Sequence, residues 1–327
     1  MTATFLRRGV AAVAATLLSA VLLTACGSNS SESAGDASSG GSDPSSNDSA
    51  SYPVTVISDF GELTLESEPQ RIVALTHLTF DTLLALEIEP VGGLVPTVVM
   101  NKDAPWYEGK LDDVASIDGG NRKEIDYEAI AALKPDLILA GGGFAGEDTW
   151  DRLNEIAPTA GDFKVPGEDN WVSTLKNIGV LTNNEAKAES VLSSVQKKID
   201  DATASFSLEG KTALYATAYQ GNYMAFISPD DKVNQIFAQF GMSLPDGLEG
   251  QDQAAISMEN YQLLDADILF FAASTVSEAT TLDRVPAVAE GRVAYVDDTY
   301  ALGLVSPSAL NLPVLIDDVL VPAFKTS

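Results

Sequence analysis

Residues 184–206 read NEAKAESVLSSVQKKIDDATASF, with apolar side chains at Ala188, Leu192, Val195, Ile199, Ala202 and Phe206. Steps of four and three put these on one stripe of an α-helix. No Gly or Pro interrupts the stretch, Thr182 stands three residues before Glu185 as in a capping box, and Gly210 offers a stop. At 1.5 Å per residue such a helix spans roughly 30 Å, about the width of a small domain. On either side the pattern changes to short apolar runs separated by helical periods. Before it, Val54–Ile57 and Leu63–Leu65 flank Asp59-Phe60-Gly61 as a hairpin. Strands are expected at Arg71–Leu75, Val91–Leu94, Ala115–Ile117 and Leu137–Ala140, and helices at Phe80–Leu86, Asp126–Leu133 and Thr149–Ile156. After it come strands at Thr212–Ala216, Ile268–Phe271 and Val293–Val296, with helices at Asp231–Phe240 and Met258–Leu264. A closing helix over Ser308–Leu320 must place Pro313 near its first turn or be kinked by it. Short buried strands alternating with helices imply parallel sheets covered on both faces.

A repeat sharpens this. YEAIAALKPDLILAG from Tyr127 and MENYQLLDADILFFA from Met258 align at an offset of 131, pairing Glu128 with Glu259, Leu133 with Leu264 and Asp136 with Asp267. Each is a helix, a tight turn and a buried strand, with a glutamate in the first turn, where the macrodipole favours it. The expected fold class is therefore α/β: two Rossmann-like lobes with mainly parallel sheets, residues 52–183 and 207–327, joined by a connector helix at 184–206.

Length and apolar content change little here: 327 residues, 45% apolar, suffice for two ordinary cores. The charge adds an exclusion. With 47 acidic against 19 basic residues the net charge is −28, a surface that repels nucleic acids and anionic membranes.

The N-terminal 51 residues have a different pattern. Arg7 and Arg8 precede an apolar run from Gly9 to Leu23, and Thr24-Ala25 then lead to Cys26, the only cysteine. This is the layout of a signal peptide over residues 1–25, with a run somewhat short for a membrane span. Leu23-Thr24-Ala25-Cys26 resembles the bacterial lipobox, which implies lipidation of Cys26 as the mature N-terminus. Residues 27–51 are Ser, Gly, Asp and Asn with almost nothing apolar. They are expected to form a flexible tether with a reach of roughly 25–30 Å.

From residue 52 to the end the chain resembles the substrate-binding proteins of ABC importers, in the iron-siderophore, haem and vitamin B12 group. The resemblance rests on PQRIVAL (Pro69–Leu75), IDGGNRKEIDYEAIAALKPDLIL (Ile117–Leu139), ISMENYQLLDADILFF (Ile256–Phe271) and VPAVAEGRVAYVD (Val285–Asp297). It implies a ligand held between the lobes at the loops after strand ends, where open α/β sheets generally bind. It further implies a small closing motion limited by the connector helix, and docking on a permease through one glutamate per lobe. The matching positions are Glu128 and Glu259.

In that group a ligand-contacting arginine often precedes the first of these helices, and Arg122 lies six residues before Glu128. Its guanidinium suits the oxygens of a hydroxamate, catecholate or carboxylate. Lys102 and Lys123 would add positive charge. Of the aromatic residues Trp106, Tyr107, Phe144, Trp150, Trp171, Tyr219 and Tyr223, the four expected in the cleft are Tyr107, Phe144, Tyr219 and Tyr223, able to stack on a flat or greasy ligand. His77, the only histidine, follows the RIVAL strand in an expected cleft loop. It is either a haem ligand or an ordinary hydrogen-bonded residue. Its solitude argues against a multi-histidine zinc site.

Gly141–Gly146 matches G-x-G-x-x-G after a strand. Glu147 and Asp148 would, however, stand where a pyrophosphate needs a positive helix end, so a glycine-rich cleft loop is the better account. The expectation is a monomeric, non-enzymatic binding protein with no intrinsic cofactor and no bond from side chain to iron. It would be lipid-anchored at the outer face of the cytoplasmic membrane, delivering a ferric siderophore to an ABC permease and its ATPase. Haem or a corrinoid are the alternative ligands, and a secreted α/β enzyme using the Gly141–Gly146 loop is the alternative from another class.

Overall fold

The computed structural model describes residues 52–93, 102–112, 114–117, 125–141, 147–163, 165–248 and 255–325. The readings made for the signal segment, Cys26, the tether, Arg122, Lys123 and Phe144 lie outside these residues.

The folded body opens with a hairpin, β1 (Val54–Ser58) and β2 (Gly61–Leu65), closed by the two-residue turn Asp59-Phe60. The chain then builds a five-stranded, wholly parallel sheet. Its members are β3 (Ile72–Ala74), β4 (Gly92–Gly93), β5 (Ala115–Ser116), β6 (Leu137–Leu139) and β7 (Thr159–Ala160), in the spatial order β5-β4-β3-β6-β7. The accompanying helices are α1 (His77–Ala85), α2 (Tyr127–Ala132), α3 (Glu147–Asn154) and α4 (Asn170–Leu181). The sequence pattern had given no helix at α4, although seven of its residues are buried.

Next comes the connector α5 (Glu185–Ser205). Ala188, Val195, Ile199 and Ala202 are buried along one stripe, and Leu192 and Phe206 half-buried, as the periodicity requires. Its start differs from expectation. Asn184 is the N-cap and makes no side-chain cap bond, while the Thr182 hydroxyl donates to the Ile178 carbonyl and so belongs to the end of α4. The capping box is absent because Asn183, with φ of 55°, turns the chain between two helices in contact. Gly179 of α4 lies so close to Ala188 of α5 that a Cβ there would crowd the alanine methyl.

The second sheet comprises β8 (Ala213–Tyr219), β9 (Asn222–Ala225), β10 (Ala255–Ser257), β11 (Ile268–Ala272) and β12 (Val293–Val296), in the order β10-β9-β8-β11-β12. It is parallel at β8-β11-β12 and antiparallel at β10-β9-β8. The antiparallel pair arises at Gln220-Gly221, where φ of 49° and 77° make a hairpin turn of the kind that fits strand twist. Helix α6 (Lys232–Gln239) follows β9, and α7 (Pro286–Ala289) precedes β12. Met258–Leu264, expected as an α-helix, is 3₁₀ with a break at Asn260. After α8 (Asp298–Val305), the closing helix runs through α9 (Leu312–Leu315), a π-turn at Ile316–Leu320 and α10 (Val321–Phe324). It begins later than the pattern suggested, with Pro313 in its first turn. Pro322 lacks the N–H that an α-turn would send to residue 318, and the wider turn accommodates it.

Side chains alternate across both sheets. Ile72, Ala74, Leu137 and Leu139 on one face of the first, and Ala213, Tyr215, Ile268 and Phe270 on one face of the second, join a single core. That core also takes in the α5 stripe and Leu312, Leu315, Ile316 and Phe324 of the closing helix. The opposite faces carry separate, smaller cores: Val73, Ile138 and Ile130 in one, Leu214, Leu269 and Leu264 in the other. The repeat is also a repeat of bonds. Asp136 accepts from the N–H groups of Gln70 and Arg71, both 2.8 Å, at the start of β3; Asp267 accepts from the N–H of Thr212, 2.8 Å, at the start of β8. Each carboxylate pins the strand beside its own.

A shared core predicts shared unfolding. Urea denaturation followed by far-ultraviolet circular dichroism and by tryptophan emission should give one coincident transition. Ile199→Ala, which opens a cavity in that core, should lower stability by about 2–5 kcal/mol without splitting it.

Candidate functional site

The two glutamates of the repeat stand in equivalent settings. Asp126 caps α2 by accepting from the Ala129 N–H at 2.9 Å, and Ser257 caps the 3₁₀ turn by accepting from the Glu259 N–H at 3.4 Å. Glu128 and Glu259 are each the second residue after the cap, and both are exposed. Each turn is braced from behind. The Arg152 guanidinium lies 3.7 Å from the centre of the Tyr127 ring. In the second lobe the Thr281 hydroxyl donates to the Met258 carbonyl at 2.7 Å and pairs with the Tyr223 hydroxyl at 2.9 Å.

That bracing corrects one expectation. Tyr223 does not stand open in a cleft loop: it lies in β9, fully buried, edge-on to Phe271. Tyr219, one hairpin turn away at the end of β8, points the other way and is 58% exposed. The period of two along β8 and β9 separates the two rings. His77 is likewise not in a loop. It is the first residue of α1, directly after Thr76, whose hydroxyl accepts from the Thr79 N–H. Lys102 is exposed, its ammonium 3.1 Å from the Asp103 carboxylate.

Tyr107 requires the largest correction. Its ring is buried, and its hydroxyl donates at 2.6 Å to one oxygen of Asp81, itself buried in α1. The other oxygen accepts at 2.6 Å from the hydroxyl of Ser308, 227 residues further along. Ser308 in turn accepts from the Asn311 N–H at 3.2 Å and donates its own N–H to the Asn311 side chain at 2.9 Å, which shapes the entry to α9. Next to this cluster Trp106 packs on Tyr300 and lies against Gly303, whose other neighbour there is Leu315. The 105–107 segment therefore joins the first sheet's helices to the C-terminal ones. Burial pushes the Asp81 carboxyl up to about 6, against the opposing pull of the two hydroxyls. Burial also raises the Tyr107 phenol, followed by the neighbouring carboxylate.

Two further features escaped the sequence pattern. At the carboxyl end of β7, the hairpin tip folds back: the Asp59 N–H donates to the Asp162 carbonyl at 2.9 Å, and the Asp162 N–H donates to the Asp59 carboxylate at 2.8 Å. This lays Phe60 on Trp150, centroids 5.7 Å apart and planes within 17°, with both rings half-exposed. Gly141, the one described member of the glycine-rich loop, is buried against the Asp162 side chain, where a Cβ would collide. The second feature is a cavity of about 560 Å³ in the C-terminal lobe beside α6. Among the described residues it is lined by Ile227, Pro229, Phe237, Met242, Leu244 and Leu248 with Ser228, Ser243 and Asn234, none of them charged. In a chain of net charge −28 that lining is suited to an uncharged, largely apolar guest.

Comparison with known proteins gives these features a context. A family model described as periplasmic binding protein matches residues 72–300. The probable siderophore-binding lipoprotein YfiY of Bacillus subtilis (strain 168) is 29% identical over 265 residues, covering 78% of this chain and 76% of that protein. The ferric enterobactin-binding periplasmic protein FepB of Escherichia coli O6:H1 is 28% identical over 274 residues, covering 78% and 85%. Among solved structures, a periplasmic solute binding protein from Mycobacterium smegmatis superposes with a TM-score of 0.67 at 27% identity, over 83% of this chain and 97% of that one.

The Asp81 cluster sets a pH dependence. The folded chain keeps the Asp81 proton up to about pH 6, whereas the unfolded chain loses it near 3.8. Between these values the folded state binds more protons, so stability falls as pH rises through the window, by up to about 3 kcal/mol. Urea midpoints at pH 4 and pH 7 should show this component in the wild type and lose it in Asp81→Asn.

Proposed function

We infer that this chain, which belongs to the periplasmic binding protein family, is the binding component of an iron-uptake system and delivers a ferric siderophore to an ABC permease. The match of the family model across residues 72–300 carries this reading, because it spans both sheets and the helix between them. Two relatives named for siderophore or ferric enterobactin binding support the ligand class. Both names describe binding, and the glycine-rich loop is read accordingly as part of a binding wall.

On this reading residues 52–183 and 207–327 are the two lobes and 184–206 the connector. The iron stays in its chelator, whose oxygens meet the Arg122 guanidinium, with Lys102 adding positive charge and Phe144 and Tyr219 offering ring faces. Tyr107 and Tyr223, buried behind the surface, act by bracing the segments that carry the contacts. The half-exposed Phe60–Trp150 pair is a further candidate wall for a flat ligand group. Glu128 and Glu259, exposed at matched positions, pair with permease arginines. Cys26 carries the lipid that holds the protein at the outer face of the cytoplasmic membrane.

Tryptophan-emission titration of the mature protein should show tight quenching by one ferric siderophore among hydroxamate, catecholate and citrate types. Haemin and cobalamin should fail to compete, and His77→Ala should bind as the wild type does. Tight binding of haemin alone, lost in His77→Ala, would reject the siderophore reading. Arg122→Ala should weaken the chelate by about tenfold or more, the loss of one or two charge-assisted hydrogen bonds.

A separate pair of variants tests delivery. Glu128→Ala and Glu259→Ala should leave the chelate affinity unchanged while each reduces uptake through a reconstituted permease. Unchanged uptake in both would place docking elsewhere.

A further inference from the structure

The Asp81 cluster joins two parts of the chain that the connector helix alone would not couple. Asp81 sits on α1 beside the first sheet; Ser308 sits between α8 and the closing helix, at the far end of the sequence. All three members, Asp81, Tyr107 and Ser308, are buried, at 2%, 4% and 1% exposure. A carboxylate in water accepts about four hydrogen bonds, and this one has two, both from neutral hydroxyls. No described cation pairs with it. Burial of a charge with so little compensation opposes closure of whatever contact buries it.

The ion pairs described on the surrounding elements are formed away from it. His77 lies one turn earlier on α1, and Glu87, just past its end, pairs with Lys187. Lys110, beyond Tyr107, donates to the Trp106 carbonyl. On α4 Lys176 pairs with Glu168. Tyr300 of α8 donates to Asp318, while Asp297 caps that helix and Asp317 pairs with Lys198. The segment around Ser308 contributes only uncharged side chains, Ser308 and Asn311.

We propose that Asp81 is a proton-operated lock on the junction between α1 and the C-terminal helices: the neutral carboxyl closes it, and the ionised form leaves it loose. Linkage gives the direction. Opening the junction returns the carboxylate to water, so the open form favours ionisation and the closed form favours the proton. At neutral pH the C-terminal helices can then shift against α1, and acid holds them in place. This inference stands on the junction and holds for any ligand the protein carries.

Trp106 reports on it, because its indole packs across the junction on Gly303. In protein labelled with 5-fluorotryptophan, the ¹⁹F resonance assigned by Trp106→Phe should titrate with a midpoint near pH 6. His77→Gln should keep that titration and Asp81→Asn should abolish it. Hydrogen exchange over 298–324, corrected for the intrinsic pH dependence, should slow on going from pH 7.5 to pH 5 in the wild type and not in Asp81→Asn. Should Asp81→Asn fail to fold, Ser308→Ala keeps the carboxylate and removes one of its donors, so the Trp106 midpoint should move upward. A Trp106 resonance that does not titrate, a titration lost in His77→Gln, or exchange that is pH-independent in the wild type would each overturn the proposal.

Discussion

The constraint on which this architecture depends is a single apolar core that both sheets share. Each sheet turns one face toward it. The α5 stripe of Ala188, Val195, Ile199 and Ala202 and the inward side of the closing helix fill the space between. Burying a valine, leucine, isoleucine or phenylalanine side chain contributes about 1.5–3 kcal/mol, so parting the sheets would forfeit many such contributions together. A continuous helix also resists bending, because its backbone hydrogen bonds must break first. What that core leaves free are the loops at the carboxyl ends of the strands and the first turns of the outer-face helices.

The outer faces show one physical solution used twice. Asp136 and Asp267 pin the starts of neighbouring strands through backbone N–H groups, and Asp126 and Ser257 cap the following turns. Glu128 and Glu259 then occur at the same offset, exposed. The completions differ: α2 is α-helical, while the equivalent turn is 3₁₀ and broken at Asn260. One turn is braced by an arginine stacked on tyrosine and the other by a threonine–tyrosine pair. The presented carboxylates are kept while the scaffolding behind them changes.

Against this background the Asp81 cluster stands apart. Most acids of this chain lie on its surface, where water solvates them. Asp81 lies where the N-terminal helices meet the C-terminal ones, held by two hydroxyls and, among the described residues, by no cation. An all-apolar junction would have been more stable and insensitive to protons. The carboxylate makes that one contact responsive while the rest of the core stays rigid.

What the sequence determined by itself was whatever depends on neighbours within a few residues. The 3.6 period of 184–206 placed the connector, the apolar runs placed most strands, and the offset of 131 paired Glu128 with Glu259 and Asp136 with Asp267. The caps and the α4–α5 turn were less legible. Thr182-x-x-Glu185 has the spacing of a cap, but the close approach of Gly179 to Ala188 gave Thr182 to the preceding helix. Tyr107, Tyr219 and Tyr223 looked alike as loop aromatics. Only the fold decided that one bonds Asp81, one faces out and one braces Met258, because burial is set by strand register and by segments that arrive from far along the chain. The stacking of Phe60 on Trp150 and the meeting of Asp81 with Ser308 were invisible for the same reason: ninety and 227 residues separate the partners, and no local periodicity encodes which distant side chain closes a contact.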